Sequence, residues 1–564
     1  MFNKKDMKNK HMIVLIHGKK IEIEVKKEEK SANLLQLLQD NGIYISNSCR
    51  GNGSCGKCKV RIKNSGMAVT ESEGKELSKY EVEQGIRLAC KIQMADVLEI
   101  DGACQFAVEI LENLEDNIVV ESVKKKDINN NKNDKIKNYF LAIDIGTTTI
   151  AMALVDVYTG EVCDTYASIN HQRAFGADVI NRIVAANEGK GDKLKESIEE
   201  DLWKGIYYFL DNYICAENKD ALESEQVSTC LSGFVIAGNT TMMHLLMGHS
   251  CESLGKYPFE SEYLEQRELV LRECIGNGLR NVSQWVYDIP VLLMPGISVF
   301  VGSDILAGIL ACPGFENDEV NYFLDLGTNG EMVLGNQNHM LATSVAAGPA
   351  FEGGNITCGT ASIPGSISRV KIFNRKPVIG TIGKIMPPVG LCGSGLISAI
   401  AEFLKERIID VQGNLQHPFQ KDGFSLWTFS SGEKISLYQE DVRQFQMAKS
   451  AVRSGIEILR QEYGCQLEDV KKVYVAGGFG TNLTVEDIIY SGLLPEEWKE
   501  KIEFLGNTSL LGCIKAGMMR YGTKEEESCC LKEKQINVLN HVKTISLANN
   551  EEFHQIYINN LNFD

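Results

Sequence analysis

The sequence predicts a multidomain chain: a small α+β unit carrying a metal-cluster loop, a flexible linker, and a large two-lobed α/β unit. Three observations lead there. Cysteines Cys49, Cys55 and Cys58 crowd a glycine-rich loop, with Cys90 downstream. Residues 121–138 are almost devoid of apolar side chains and so cannot pack a core. A pattern of strand, Asp, apolar residue, Gly-Thr turn and strand occurs at Asp144 and again at Asp325, the mark of an internal duplication.

Composition narrows the functional classes. The 564 residues suffice for several cores. A formal charge of −17 and a pI near 5.2 argue against nucleic-acid binding, which needs a basic face. Residues 1–10 are polar and lysine-rich, without the apolar stretch of a signal peptide. The longest apolar candidate, 291–312, is broken by Gly, Pro, Ser and Asp, short of the roughly 18 apolar residues a span requires, so no membrane association is expected. Seventeen cysteines in such a chain read as reduced thiols of a cytoplasmic protein, with Cys163, Cys251 and Cys465 as small core residues.

In chain order, the alternation of Ile13 and Leu15 with Ile21, Ile23 and Val25 about Gly18 predicts a β-hairpin. Ser31 is expected to cap a short helix carrying Leu34, Leu35, Leu37 and Leu38 and ending near Asn41-Gly42. The cluster loop and a strand over 59–62 follow. The expected division is a 1–11 extension, a cluster domain over 12–105, a linker over 106–138, a first lobe over 139–318 and a second over 319–564. As a flexible chain, 121–138 spans roughly 25 Å, enough for the cluster domain to swing between an electron donor and an acceptor.

The cysteine spacing is C-x5-C-x2-C…C, close to the C-x4-C-x2-C…C of plant-type [2Fe–2S] ferredoxins. Glycines let the loop bend tightly and point amide N–H groups at cluster sulfurs. Four thiolates also suit zinc, but zinc ribbons usually offer two CxxC pairs, and here Cys55 and Cys58 make one. With the order ββα, loop and strand, residues from about 12 to 100 resemble a β-grasp ferredoxin domain of the adrenodoxin-like branch. The metal ligands are then Cys49, Cys55, Cys58 and Cys90.

The strand over 140–145 delivers Asp144 to a hydroxyl-rich turn. Gly146 allows close backbone approach, Thr147 and Thr148 offer N–H and hydroxyl donors to phosphate, and Asp144 can hold Mg2+ or its water. The strand over 472–476 runs into Gly477-Gly478-Phe479-Gly480, where absent side chains leave room for an adenine or ribose. Two Asp-Gly-Thr hairpins followed by such a glycine turn resemble the actin, Hsp70 and sugar-kinase superfamily, whose members clamp Mg2+-ATP between two ribonuclease-H-like lobes. That resemblance implies Asp144, Gly146, Thr147 and Thr148 as the first phosphate motif, Asp325, Gly327, Thr328 and Asn329 as the second, and Gly477, Gly478 and Gly480 as the adenosine motif. Gly393-Ser394-Gly395 reads as a connecting element where a helix packs closely; 237–244 and 346–355 read as loops facing the cleft; His244 reads as a satisfied structural histidine.

A cluster domain joined to an ATPase clamp resembles the reductive activators of corrinoid-dependent enzymes, through the cysteine loop and the motifs at 144–149, 238–242, 325–331, 348–353 and 476–480. The resemblance implies a low-potential electron passed from a [2Fe–2S] cluster to the Co(II) corrinoid of a methyltransferase corrinoid protein, restoring Co(I) at the expense of ATP. It implies as partners that corrinoid protein and a reductant such as ferredoxin or flavodoxin. Some members carry a dimerisation domain between linker and ATPase, for which the early position of Asp144 leaves no room, so the resemblance leaves the oligomeric state open. Two rivals are an activator of the 2-hydroxyacyl-CoA dehydratase kind, for which Cys358 and Cys392 could be proposed as cluster ligands, and a redox-regulated kinase or scaffold.

Overall fold

The structure is a computed structural model. It describes residues 10–16, 19–25, 31–41, 43, 45, 56, 58–63, 69, 70, 73–77, 81, 82, 84–99, 106–110, 138–214, 230–276, 284–383, 386–478, 483–522, 525–547 and 550–563. The expected linker over 121–138 lies outside them except for Asn138.

The first unit is one mixed sheet. Strands β1 (Lys10–Ile16) and β2 (Lys19–Val25) form the expected antiparallel hairpin, with Met12, Val14, Ile23 and Val25 turned into the core. Asn33, and not Ser31, caps the helix Leu34–Asp40: its side chain accepts from Gln36 N at 2.9 Å, a bond only the residue directly before the first turn can make. Strands β3 (Lys59–Lys63), β4 (Ile86–Leu88) and β5 (Phe106–Ile110) complete the order β2-β1-β5-β3-β4. Strand β5 corrects the expected boundary at 105. It runs parallel to β1 and antiparallel to β3 in the middle of the sheet, because Val108 and Ile110 bury their side chains there. Strand β1 likewise begins inside the expected 1–11 extension.

Each large lobe repeats one topology. In the first, β6 (Tyr139–Ile145), β7 (Thr149–Asp156) and β8 (Val162–Ile169) form a meander, and β9 (Leu231–Gly238) lies parallel to β6. Strands β10 (Arg267–Val270) and β11 (Pro290–Leu293) extend that edge. In the second lobe, β12 (Asn321–Leu326), β13 (Gly330–Asn336) and β14 (His339–Val345) form the same meander, and Val473–Ala476 lies parallel to β12. The duplication holds at the level of register: Asp144 sits opposite Ala237 and Asp325 opposite Ala476. Both strand pairs therefore end together at one edge of their sheets, followed by Gly238 in one lobe and Gly477 in the other.

The lobes are knit by exchanged helices. Ser303–Ala311, from the first lobe's sequence, and Thr508–Tyr521, from the second's, pack together, and a shared core joins Phe140, Val235, Phe323, Val333, Tyr474 and Cys513. In the helix Gly393–Lys405, Gly393-Ser394-Gly395 form the first turn, packed closely against Ile367. Among the described residues no helix is long and apolar enough to cross a membrane.

Candidate functional site

The cluster half of the site is set by the β3–β4 pairing. Lys59 lies opposite Leu88, which brings the preceding Cys58 and the following Cys90 side by side. Ala89 N donates to Cys58 O at 2.9 Å. The two buried sulfurs lie 3.3 Å apart, too far for a disulfide of about 2.05 Å. That is near the separation of roughly 3.8 Å that two thiolates about 2.3 Å from one tetrahedral metal would adopt. Gly56 adopts a left-handed φ of +62° directly before this pair. The donors present thus fit a thiolate-ligated cluster; Cys49 and Cys55 lie outside the described residues. The strand behind Cys90 is pinned by a buried ion pair, Arg87 Nε and Nη2 donating to Glu73 Oε1 and Oε2 at 2.8 and 2.7 Å.

The candidate nucleotide half comprises the two duplicated hairpins, which Glu352 joins across the cleft through Thr148 and Thr328. At Gly146 a Cβ would lie 2.7 Å from Thr149 O, so the turn requires glycine. Thr147 and Thr148 N–H groups donate to no described group, nor do those of Thr328 and Asn329. Asn239, which caps the helix Thr240–Met247, also donates from Nδ2 to Thr147 Oγ1 at 3.0 Å. Gly477 holds φ +119° within reach of Leu326 O, where a Cβ would stand at 2.3 Å. Among the described residues nothing lies within 4 Å of where a Gly478 Cβ would stand, and Gly480 lies outside the described residues.

Carboxylates line the cleft floor. Asp144 accepts from Ser509 Oγ at 2.7 Å and Asn507 Nδ2 at 2.8 Å. Removal from bulk water raises its pKa against those two donors. Burial, then the neighbouring Asp144 and Glu352, push Asp325 up to about 7. Burial, then Asp325 and Asp144, push Asp304 up to about 8, and Glu331 is raised by burial and by Asp304 and Asp325. Mutually repelling acids held in a recess are poised for a cation. Among the described residues no three of them converge into a preformed metal cage. Mg2+ usually keeps several waters and binds through one or two carboxylates plus substrate phosphates.

The sequence reading missed several of these groups. Glu352, within the 346–355 loop, spans the cleft: its Oε2 accepts from Thr148 Oγ1 at 2.7 Å and Thr328 Oγ1 at 2.6 Å. Asp304, Asn507 and Ser509 open helices whose starts Gly302-Ser303-Asp304 and Asn507-Thr508-Ser509 are legible, though not where they point. His244 is satisfied by Ser250 O and Ser261 Oγ, both at 2.9 Å. Cys392 is buried at a helix start with its Sγ 3.2 Å from Ile367 O. Burial also pushes the Cys358 thiol up to about 12, so this pair does not resemble an exposed cluster bridge.

Residues 14–95 match the 2Fe-2S iron-sulfur cluster binding domain, 139–316 the RACo middle region, and 319–564 the C-terminal domain of RACo, the ASKHA domain. The chain is 30% identical over 455 residues to the corrinoid activation enzyme RamQ of Eubacterium limosum, covering 75% of this chain and 70% of that protein. It is 26% identical over 407 residues to the [Co(II) methylated amine-specific corrinoid protein] reductase of Methanosarcina barkeri, covering 66% of this chain and 68% of that one. A solved reductive activator for corrinoid,iron-sulfur protein superposes with a TM-score of 0.65 at 26% identity, over 98% of both chains. The match to this activator runs through the stretch after the linker, and the middle region, 139–316, is the lobe that carries Asp144. With its [2Fe–2S] domain, middle region and ASKHA domain in this order, the chain belongs to the family of corrinoid reductive activators.

Proposed function

We propose that this protein is an ATP-dependent reductive activator, passing one electron to the Co(II) corrinoid of a methyltransferase corrinoid protein and so restoring Co(I). The observation that carries the reading is the union, in one chain, of the Cys58–Cys90 pair with a cleft whose two phosphate turns are bridged by Glu352. When bound, the [2Fe–2S] cluster supplies an electron near roughly −400 mV, and an acceptor more negative than this costs about 2.3 kcal/mol per 100 mV.

The chain's own groups supply the rest. Cys49, Cys55, Cys58 and Cys90 hold the cluster. The free N–H groups of Thr147, Thr148, Thr328 and Asn329 receive phosphate oxygens. Asp144 and Asp325 hold Mg2+ or its waters, and Gly477, Gly478 and Gly480 make room for the adenosine. Thr148 and Thr328 hydroxyls are occupied by Glu352, so an incoming polyphosphate exchanges one set of acceptors for another and resets the lobes. ATP hydrolysis then returns the cleft to its starting state, and the cycle can favour one state of the corrinoid complex over another. The electron donor is a low-potential carrier such as ferredoxin or flavodoxin.

The test is anaerobic. The reconstituted protein is mixed with a Co(II) corrinoid protein, a low-potential reductant and Mg-ATP, and the visible spectrum is followed for Co(I). ATP-dependent Co(I) is the expected result; an intact cluster with ATP turnover but no Co(I) from any of several corrinoid proteins overturns the reading.

A further inference from the structure

All three carbonyls of the first phosphate turn are held from behind by one short segment of the first lobe. Asn170 Nδ2 donates to Gly146 O at 2.9 Å and Asn170 N to Thr148 O at 2.8 Å, while Arg182 Nη2 donates to Thr147 O. With the carbonyls tied back, the turn's N–H groups are left for phosphate. Arg182 is completely buried and forms no ion pair among the described residues. Its Nε donates to Gly176 O at 3.0 Å, and its Nη1 is shared between Met242 Sδ at 3.1 Å and Gln172 Oε1 at 3.2 Å.

Gln172 links this strap to the cluster domain. It is fully buried, lies in the 3₁₀ turn His171–Ala174, and donates from Nε2 to Leu194 O at 2.6 Å. Two polar contacts among the described residues join the cluster domain to this lobe. Gln39 Nε2 donates to Ala174 O at 2.7 Å, and Asp40 pairs with Lys193. Ala174 ends the turn that holds Gln172, and Lys193 adjoins the Leu194 that Gln172 anchors. Both contacts therefore rest on Gln172, which rests on Arg182, which holds the phosphate turn.

We propose that Arg182 and Gln172 are positioning residues that couple nucleotide in the first phosphate turn to docking of the cluster domain through Gln39 and Asp40. The proposal rests on the nucleotide reading of that turn. Phosphate immobilises the turn, its fixed carbonyls order Asn170 and Arg182, and the ordered 171–174 turn presents Ala174 O with less entropy left to lose. The buried guanidinium also adds an unpaired positive charge behind the phosphate site. Nucleotide and docking thus favour each other, and by linkage each by the same factor.

Asp40 and Lys193 are both accessible, so a zero-length carbodiimide can join them as an amide with loss of water. The full-length protein with its cluster is cross-linked with and without a non-hydrolysable Mg-ATP analogue, the Asp40–Lys193 peptide is quantified by mass spectrometry, and analogue affinity is measured in parallel. The analogue is expected to raise the yield several-fold, within the roughly 5- to 150-fold range of coupled sites. Gln172→Ala should bind the analogue with an unaltered cluster spectrum but lose this response. Gln39→Ala, on the cluster domain, should weaken analogue binding by the same factor and covers the case that Gln172→Ala does not fold. A yield indifferent to analogue that is demonstrably bound, or unchanged affinity in Gln39→Ala, overturns the coupling; failure of the analogue to bind the wild type overturns the nucleotide reading and the coupling with it.

Discussion

Glu352, on the second lobe, accepts a hydrogen bond from Thr148, on the first, at 2.7 Å, through the same oxygen that accepts from Thr328. The two threonines are the pseudo-symmetric hydroxyls of the duplicated turns, so one carboxylate closes the cleft over both. An anion in this position opposes an incoming polyphosphate. Glu352→Gln keeps the shape and an acceptor but removes the charge. It should bind Mg-ATP roughly tenfold more tightly, about 1.4 kcal/mol, while slowing the ATP-dependent step. Titration calorimetry decides it: unchanged or weaker binding would remove Glu352 as a gate.

The pseudo-symmetric glycines are not equivalent. A methyl group at Gly146 would collide with Thr149 O at 2.7 Å, whereas the nearest described atom to one at Gly327 is Glu352 Oε1 at 3.6 Å. Gly146→Ala should therefore abolish measurable ATP binding, and Gly327→Ala should change it only a few-fold. Equal effects in the two variants would mean that the turns do not differ as their geometry says.

Cluster and nucleotide sites should separate by mutation. Cys58→Ala should lose the [2Fe–2S] visible spectrum and electron transfer while binding ATP normally. Asp325→Asn should keep the spectrum and lose ATP affinity by about 10- to 100-fold, the scale of one charge-assisted contact. Retention of corrinoid reduction at the wild-type rate by the cysteine variant would sink the cluster assignment.

The Glu73–Arg87 pair sets the acid limit of the cluster domain. Burial, the largest influence, raises the Glu73 pKa, but Arg87, the Thr70 and Leu88 amides and the Thr70 hydroxyl together hold it below the usual 4.5. For an acid depressed in the folded state, the stabilisation is present above the unfolded value and is lost as pH falls through the folded one. Stability of this domain should thus be insensitive to this pair above about pH 4.5 and decline below it. Both partners are buried, and removing one partner of such a pair costs about 3–5 kcal/mol. Glu73→Gln should lower the urea midpoint for cluster bleaching accordingly; a midpoint within error of wild type would show the pair to be dispensable.

Much of this molecule was legible as short-range pattern. The duplicated Asp-x-Gly-Thr turns lie on β6–β7 and β12–β13 as their alternation and turn residues require. The helix cap shifted from Ser31 to Asn33, and β5 was absorbed into an expected linker. Both misreadings have one cause: a cap and a central strand are chosen by a specific bond or partner, and 106–110 looks unremarkable until β1 and β3 flank it.

The sequence by itself determined the parts: four cysteines at ferredoxin-like spacing, the duplicated Asp-x-Gly-Thr turns, and glycines where a backbone must approach closely. Only the tertiary structure decided how they meet. Asn507 and Ser509 reach Asp144 from 363 and 365 positions away, Glu352 bridges two turns, and Gln39 finds Ala174 across the chain. Closing such long loops costs little more than closing shorter ones, because the entropy grows only with the logarithm of length. Residues that cooperate therefore need no proximity in sequence, and no local periodicity records their pairing.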